Sequence, residues 1–196
     1  IDLIVLFGGQ SAEHDVSCTT ASHVLRAVDP AKYRVIPIGI GRDGRWSLAS
    51  QAVAALADGP DALPGRLDAT GDIVEPTAAI TPTSSRTTVV VPLLHGPLGE
   101  DGTVQGMLEL ADLPYVGSGV LGSAVSMDKA MAKQITAING IPQARHVSIR
   151  ADHCTPGTPA QLVEHLGLPV FVKPANMGSS VGVSKATLYR HLAART

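Results

Sequence analysis

At 196 residues and 44% hydrophobic content, the chain can bury a sizeable core, roughly 70% of its unfolded surface, as one large domain or two small ones. A net charge of −2 and an isoelectric point near 6.4 leave no electrostatic footprint for nucleic acid or a membrane surface, so a phosphorylated ligand would have to rely on local lysines. Cys18 and Cys154 are far apart without metal-ligand spacing, no apolar run approaches the ~18 residues of a membrane span, and no basic region or cleavage site marks the first residues; reduced thiols, a cytoplasmic location and no signal peptide are expected.

Residues 1–7 form a near-continuous apolar run, the pattern of a strand buried on both faces of a parallel sheet. A glycine turn follows. Apolar residues then recur with helical spacing at Val16, Ala21, Val24, Leu25 and Val28, ending near Asp29-Pro30. Residues 34–40 supply a second strand, so the chain opens with a β-α-β unit of right-handed crossover. Gly39-Ile40-Gly41-Arg42-Asp43-Gly44 matches the dinucleotide fingerprint in its letters, but Arg45-Trp46-Ser47-Leu48 does not open a helix and Asp43-Gly44 signals a hairpin. It reads as a turn. Residues 50–86 read as a loop-dominated insertion with no chemistry, and 87–94 as another buried strand that ends or bulges at Pro92. A second glycine-rich turn, a helix over 103–110 and a short strand over 113–116 lead to Gly117, Gly119 and Gly122, the expected domain junction.

Beyond it, a helical pattern over 124–138 is interrupted at Ser126-Met127-Asp128-Lys129 and stopped by Asn139-Gly140. A strand is expected at 147–149, a helix at 159–166, a strand at 170–172 and a last helix at 188–195. Between residues 172 and 185 the apolar pattern breaks at Lys173-Pro174, passes Gly178-Ser179-Ser180 and resumes at Val181 and Val183. That is strand, loop, strand: a hairpin-like flap with a lysine at its base, glycines that admit close approach and serine hydroxyls. The loop suits a chain of phosphates, although an ordinary polar hairpin with a surface lysine shares the pattern. No Gly-Lys pair exists, so a Walker A loop is excluded, and Ser179-Ser180 sits between strands rather than on the strand-to-helix elbow of a nucleophilic serine.

Three stretches in this order carry a family likeness: Gly8-Gly9-Gln10-Ser11-Ala12-Glu13-His14-Asp15-Val16-Ser17, His95-Gly96-Pro97-Leu98-Gly99-Glu100-Asp101-Gly102, and Lys173-Pro174-Ala175-Asn176-Met177-Gly178-Ser179-Ser180-Val181-Gly182. Together they resemble the D-alanine–D-alanine ligases of the ATP-grasp superfamily. The resemblance implies an α/β fold: a Rossmann-like parallel-sheet domain over 1–118, then an incomplete ATP-grasp α+β subdomain over 119–196. It also implies a C-terminal catalytic domain not contained here.

The implied activity is ATP-dependent joining of two D-alanines through an acyl phosphate, for peptidoglycan synthesis; a D-alanine–D-lactate ligase or a non-catalytic nucleotide-binding module are the alternatives. By the same resemblance, Glu13 and Ser179 would orient the first D-alanine and His95 would face the acyl phosphate. Lys129, Lys173, Gly178, Ser180, Val181 and Gly182 would hold ATP phosphates. Glu100 and Asp101 are read as shaping their loop, and His14 with the other histidines as packing. Mg²⁺ or Mn²⁺ is implied, with its ligands expected in the missing domain, so the chain alone is expected to be inactive. The implied partners are D-alanine and ATP, with no nucleic acid or membrane, and the family suggests a homodimer.

Overall fold

The computed structural model describes residues 1–186 and divides into two compact units, Ile1–Val125 and the residues from Ser126 onward. The helix expected over 188–195 lies outside the described residues.

In the first unit, β1 (Asp2–Gly8) is nearly all buried, as its unbroken apolar run requires. It leads through α1 (His14–Ala27) to β2 (Arg34–Ile40), parallel to β1 in the register Leu6↔Ile38. The chain then turns back through Gly41 and Gly44 into β3 (Trp46–Leu48), antiparallel to β2. The dinucleotide look-alike is therefore a hairpin, as its missing helix indicated. Gly39 has a separate reason: a Cβ there would lie 2.5 Å from Ala69 Cα.

The stretch over 50–86, expected to be loop-dominated, is more ordered than its composition suggested. It forms α2 (Ser50–Asp58), β4 (Asp72–Ile73) and α3 (Pro76–Ile80), and it buries Leu63, Leu67 and Ala69 against β1 and α1. These apolar residues are too widely spaced to show a period, so only tertiary packing reveals them as core.

β5 (Thr88–Pro92) lies on the other side of β1, parallel to it, giving the order β4-β3-β2-β1-β5. The sheet is thus mixed, with a parallel centre and an antiparallel β3–β4 edge. The expected strand over 113–116 shrinks to a single bridge, Tyr115 to Val90. Pro92 explains why. The segment bonds to β5 through Val90 N–H and C=O, and the next donor on that edge would belong to a proline that has none. α4 (Thr103–Leu110) packs Val104 and Leu108 beneath the sheet with Ile4, Leu6 and Val90.

α5 (Val120–Met127) spans the boundary between the two units. In the second unit, α6 (Lys129–Ile138) starts where the helical pattern breaks, because the Asp128 carboxylate accepts the N–H groups of Ala130 and Met131 at 2.9 and 3.0 Å. Residues 147–149 are not a strand; among the described residues they have no strand to pair with. α7 (Thr158–Leu166) packs Val163 and Leu166 on the antiparallel pair β6 (Val170–Val172) and β7 (Ser184–Ala186). No helix of the described residues is long and apolar enough to cross a membrane.

Candidate functional site

The two glycine turns of the first unit follow the carboxyl ends of β1 and β5. The chain leaves β1 for β2 on one side and β5 lies on the other, so the gap between β1 and β5 is the switch point where open α/β sheets bind ligands. β1 ends at Gly8 with φ +88°, and a Cβ there would lie 2.3 Å from Ile40 O. His14 Nδ1–H donates to the Gly9 carbonyl at 2.7 Å. A histidine read as packing thus shapes the turn.

Glu13 takes the N-cap position of α1 but makes no side-chain capping bond. Its carboxylate lies instead with His95 and Glu100, one ligand atom of each falling within 4.8 Å of the others. His95 Nε2 is buried with no hydrogen-bond partner among the described residues. A buried, unpaired donor or acceptor is unmet hydrogen-bonding capacity, which a ligand can satisfy. Glu100 also accepts the Gly96 N–H at 2.6 Å, so it both folds its loop and joins the cluster.

Asp101 receives the N–H groups of Leu98 and Thr103 at 2.8 and 3.0 Å. Burial would raise its carboxyl, but these bonds outweigh it and hold the group below the usual carboxylate range. Gln105 Nε2 donates to Gly99 O at 2.9 Å, securing the loop to α4. Two carboxylates and an imidazole on such a pinned frame could hold a small cationic group with an adjacent anion. By geometry alone they could also ligate a cation.

Beside His95 opens a cleft of about 210 Å³, with Ile40, Trp46, Leu94, Leu98, Val104 and Met107 in its wall. Sequence reading missed Trp46 and Ile40 as lining because they belong to the hairpin behind the look-alike fingerprint. It read Glu100 only as a loop-former, since its approach to Glu13 exists only once β1 and β5 are adjacent. Asp15, in the first turn of α1, pairs with Arg42 and Arg66 at 3.0 and 3.4 Å, all well exposed. Such pairs contribute little. Cys18, on the buried face of the same helix, is 2% exposed, and burial pushes its thiol up to about 11, against a nucleophilic role.

The second unit holds the other expected residues. Lys129 donates its backbone N–H to Ala175 O and its ammonium to Met177 O, both at 2.8 Å, tying α6 to the loop between β6 and β7. Ser179 and Ser180 both adopt left-handed backbone, φ +57° and +58°, followed by Gly182 at +73°. Successive left-handed residues are uncommon for serine and recur at ligand loops. Lys173, Ser179, Ser180, Val181 and Gly182 are exposed, and Gly178 is half-buried. In letters Gly178, Ser180 and Gly182 satisfy G-x-S-x-G, but strands flank the loop on both sides, so no nucleophile elbow forms.

Residues 2–118 match the family model for the D-ala D-ala ligase N-terminus, and residues 135–195 that for the D-ala D-ala ligase C-terminus. The chain is 47% identical to a D-alanine–D-alanine ligase of Nocardia farcinica over 94% of its length and 53% of the relative's. It is 48% identical to D-alanine–D-alanine ligase A of Bradyrhizobium diazoefficiens, again over 94% and 53%. It therefore spans about half the length of these relatives.

Among solved structures, the D-alanine-D-alanine ligase from Coxiella burnetii superposes with a TM-score of 0.81 at 33% identity, over 99% of this chain and 58% of that one. The VanG D-Ala:D-Ser ligase from Enterococcus faecalis gives 0.75 at 31%, over 98% and 57%. With the amino-terminal model alone covering more than half of its residues, the chain belongs to the D-alanine–D-alanine ligase family.

Proposed function

We propose that the protein containing this segment joins two D-alanines to D-alanyl-D-alanine with ATP, through an acyl phosphate, in the cytoplasm and as a homodimer, for cell-wall synthesis. The observation that carries the reading is the meeting of Glu13, His95 and Glu100 at the β1–β5 switch point. Glu13 carries the charge to hold the ammonium group of the first D-alanine, in charge-assisted hydrogen bonds stronger than neutral ones. His95 Nε2, unpaired and buried, is the group to face that substrate's carboxylate and the acyl phosphate made from it.

ATP, when bound, supplies the phosphoryl group that activates the first carboxylate. The residues fit its phosphates: Lys129 and Lys173 offer ammonium groups, Ser180 a hydroxyl, and the Gly178–Gly182 loop turns through left-handed backbone at Ser179, Ser180 and Gly182. Their part is positioning and charge stabilisation, which is most of what phosphoryl transfer requires of a protein. Divalent-metal ligands do not come from the stretch after Glu164, which has no Asp or Glu. They are assigned to the length of the relatives that this segment does not span.

A D-serine or D-lactate acceptor is the second reading. Its support is the structural likeness to a D-Ala:D-Ser ligase over 98% of this chain. The test uses the full-length protein with ATP, Mg²⁺ and D-alanine, assayed for phosphate and dipeptide, with D-serine and D-lactate offered in turn as acceptors. Glu13→Gln should raise the KM for the first D-alanine strongly and leave ATP binding unchanged. Normal kinetics with only a stability loss of about 0.3–1 kcal/mol would return Glu13 to a helix-dipole role.

A further inference from the structure

The hydrogen bonds between β1 and β5 follow the parallel alternation, from Asp2 N–H donating to Thr87 O at 2.9 Å to Leu93 N–H donating to Leu6 O at 2.8 Å. The next rung in this pattern would run from Gly8 N–H to Leu93 O. A side chain stands in its place. Gly8 N–H donates to Ser17 Oγ at 2.8 Å, and the Ser17 hydroxyl donates to Leu93 O at 2.5 Å. Ser17 is fully buried. Two bonds in series span more than one, so the strands part here, and their register ends at Leu6↔Pro92. On the opposite side of β1 the ladder continues, with Gly9 N–H donating to Ile40 O at 2.8 Å. The parting is confined to the switch point.

Ser17 is also tied to the site along the chain. Its own N–H donates to Glu13 O at 3.0 Å, in the first turn of α1. The Leu93 carbonyl it holds lies two residues before His95. One hydroxyl therefore links the turn carrying Glu13 to the loop carrying His95. We infer that Ser17 is a positioning residue: its hydroxyl replaces one rung of the sheet and sets the separation between Glu13 and His95, hence the fit of the first substrate. This rests on the ligase reading above.

The experiment uses the full-length protein. Ser17→Ala removes the relay, leaving the Gly8 N–H and the Leu93 carbonyl without their shared partner, and lets the two loops drift. Because a misplacement near 1 Å can cost about 100-fold, the KM for the first D-alanine is expected to rise about 10- to 100-fold, with the KM for ATP unchanged. Ser17→Thr keeps the hydroxyl and should recover most of the loss. An unchanged D-alanine KM in Ser17→Ala, or equal rises in both KM values, would overturn the inference. If the alanine variant does not accumulate folded, Ser17→Cys, with a weaker and longer relay, should show the same one-sided rise, and its absence counts equally against the idea. A wild-type protein that makes no dipeptide sinks the ligase reading separately. Hydrogen exchange at the Gly8 amide then decides the relay: faster in Ser17→Ala and restored in Ser17→Thr supports it, and no change overturns it.

Discussion

The Asp2 carboxylate shows how a charge survives in a core. It is 1% exposed, yet Arg34 Nε donates to it at 2.9 Å, Ser84 Oγ at 2.7 Å, and Arg86 Nε lies 3.1 Å away. These partners, Arg34 first, lower its pKa from 3.8 to about 2 against the opposing effect of burial. The cluster sits at the amino end of β1, the opposite pole from Glu13 and His95, so it serves the fold. A carboxylate depressed on folding contributes stability that is complete above its unfolded value and lost as pH falls through the folded one. Melting temperature should therefore drop as pH falls from 3.8 toward 2, and Asp2→Asn should flatten that limb while lowering stability at neutral pH. Thermal unfolding of both proteins across this window checks it; parallel curves would mean that Asp2 is not the titrating group.

Among the elements, the hairpin of β2 and β3 is the best measure of how tightly the apparently loose segment is held. Ser47 Oγ, on β3, donates to Ala69 O at 2.8 Å, and Ala69 lies against Gly39 in β2. Gly39→Ala would place a Cβ 2.5 Å from Ala69 Cα and 2.6 Å from its carbonyl oxygen, both backbone atoms that cannot turn aside. We expect a loss of about 1–3 kcal/mol, typical of overpacking. Chemical denaturation measures it, and a loss near zero would mean that this segment yields freely. The neighbouring glycine Gly44 has a different reason, a left-handed turn at φ +82° over which Gln10 packs. One six-residue stretch thus holds glycines required by two unrelated constraints.

For the molecule as a whole, the loop between β6 and β7 offers the sharpest test of the ligase reading in the second unit. Lys173 is exposed, at the end of β6. If it meets the phosphates of ATP, Lys173→Ala in the full-length protein should cost about 1.5–3 kcal/mol, as for a hydrogen bond to a charged group. That corresponds to roughly 10- to 150-fold in nucleotide affinity. Calorimetric titration with ATP reads it directly, and an unchanged dissociation constant would make Lys173 a plain surface charge.

Local rules made much of this protein legible in its sequence. The buried run of β1, the bounds of β2 and α4, the capped break at Asp128 and the hairpin at Gly41–Gly44 all follow from patterns within a few residues. The family was likewise legible, because its three loop signatures are contiguous stretches. Tertiary structure alone decided the rest. A strand needs a neighbour, so residues 147–149 stayed irregular while 72–73 became an edge strand. Leu63, Leu67 and Ala69 entered the core without any periodicity, because burial depends on what packs across from a residue. Glu100 joined Glu13, and Ser17 stepped into a sheet ladder, only because β5 lies beside β1 although residues 9–87 intervene in the chain. Short-range patterns encode elements and motifs; contacts between distant segments exist only once the strand order is set.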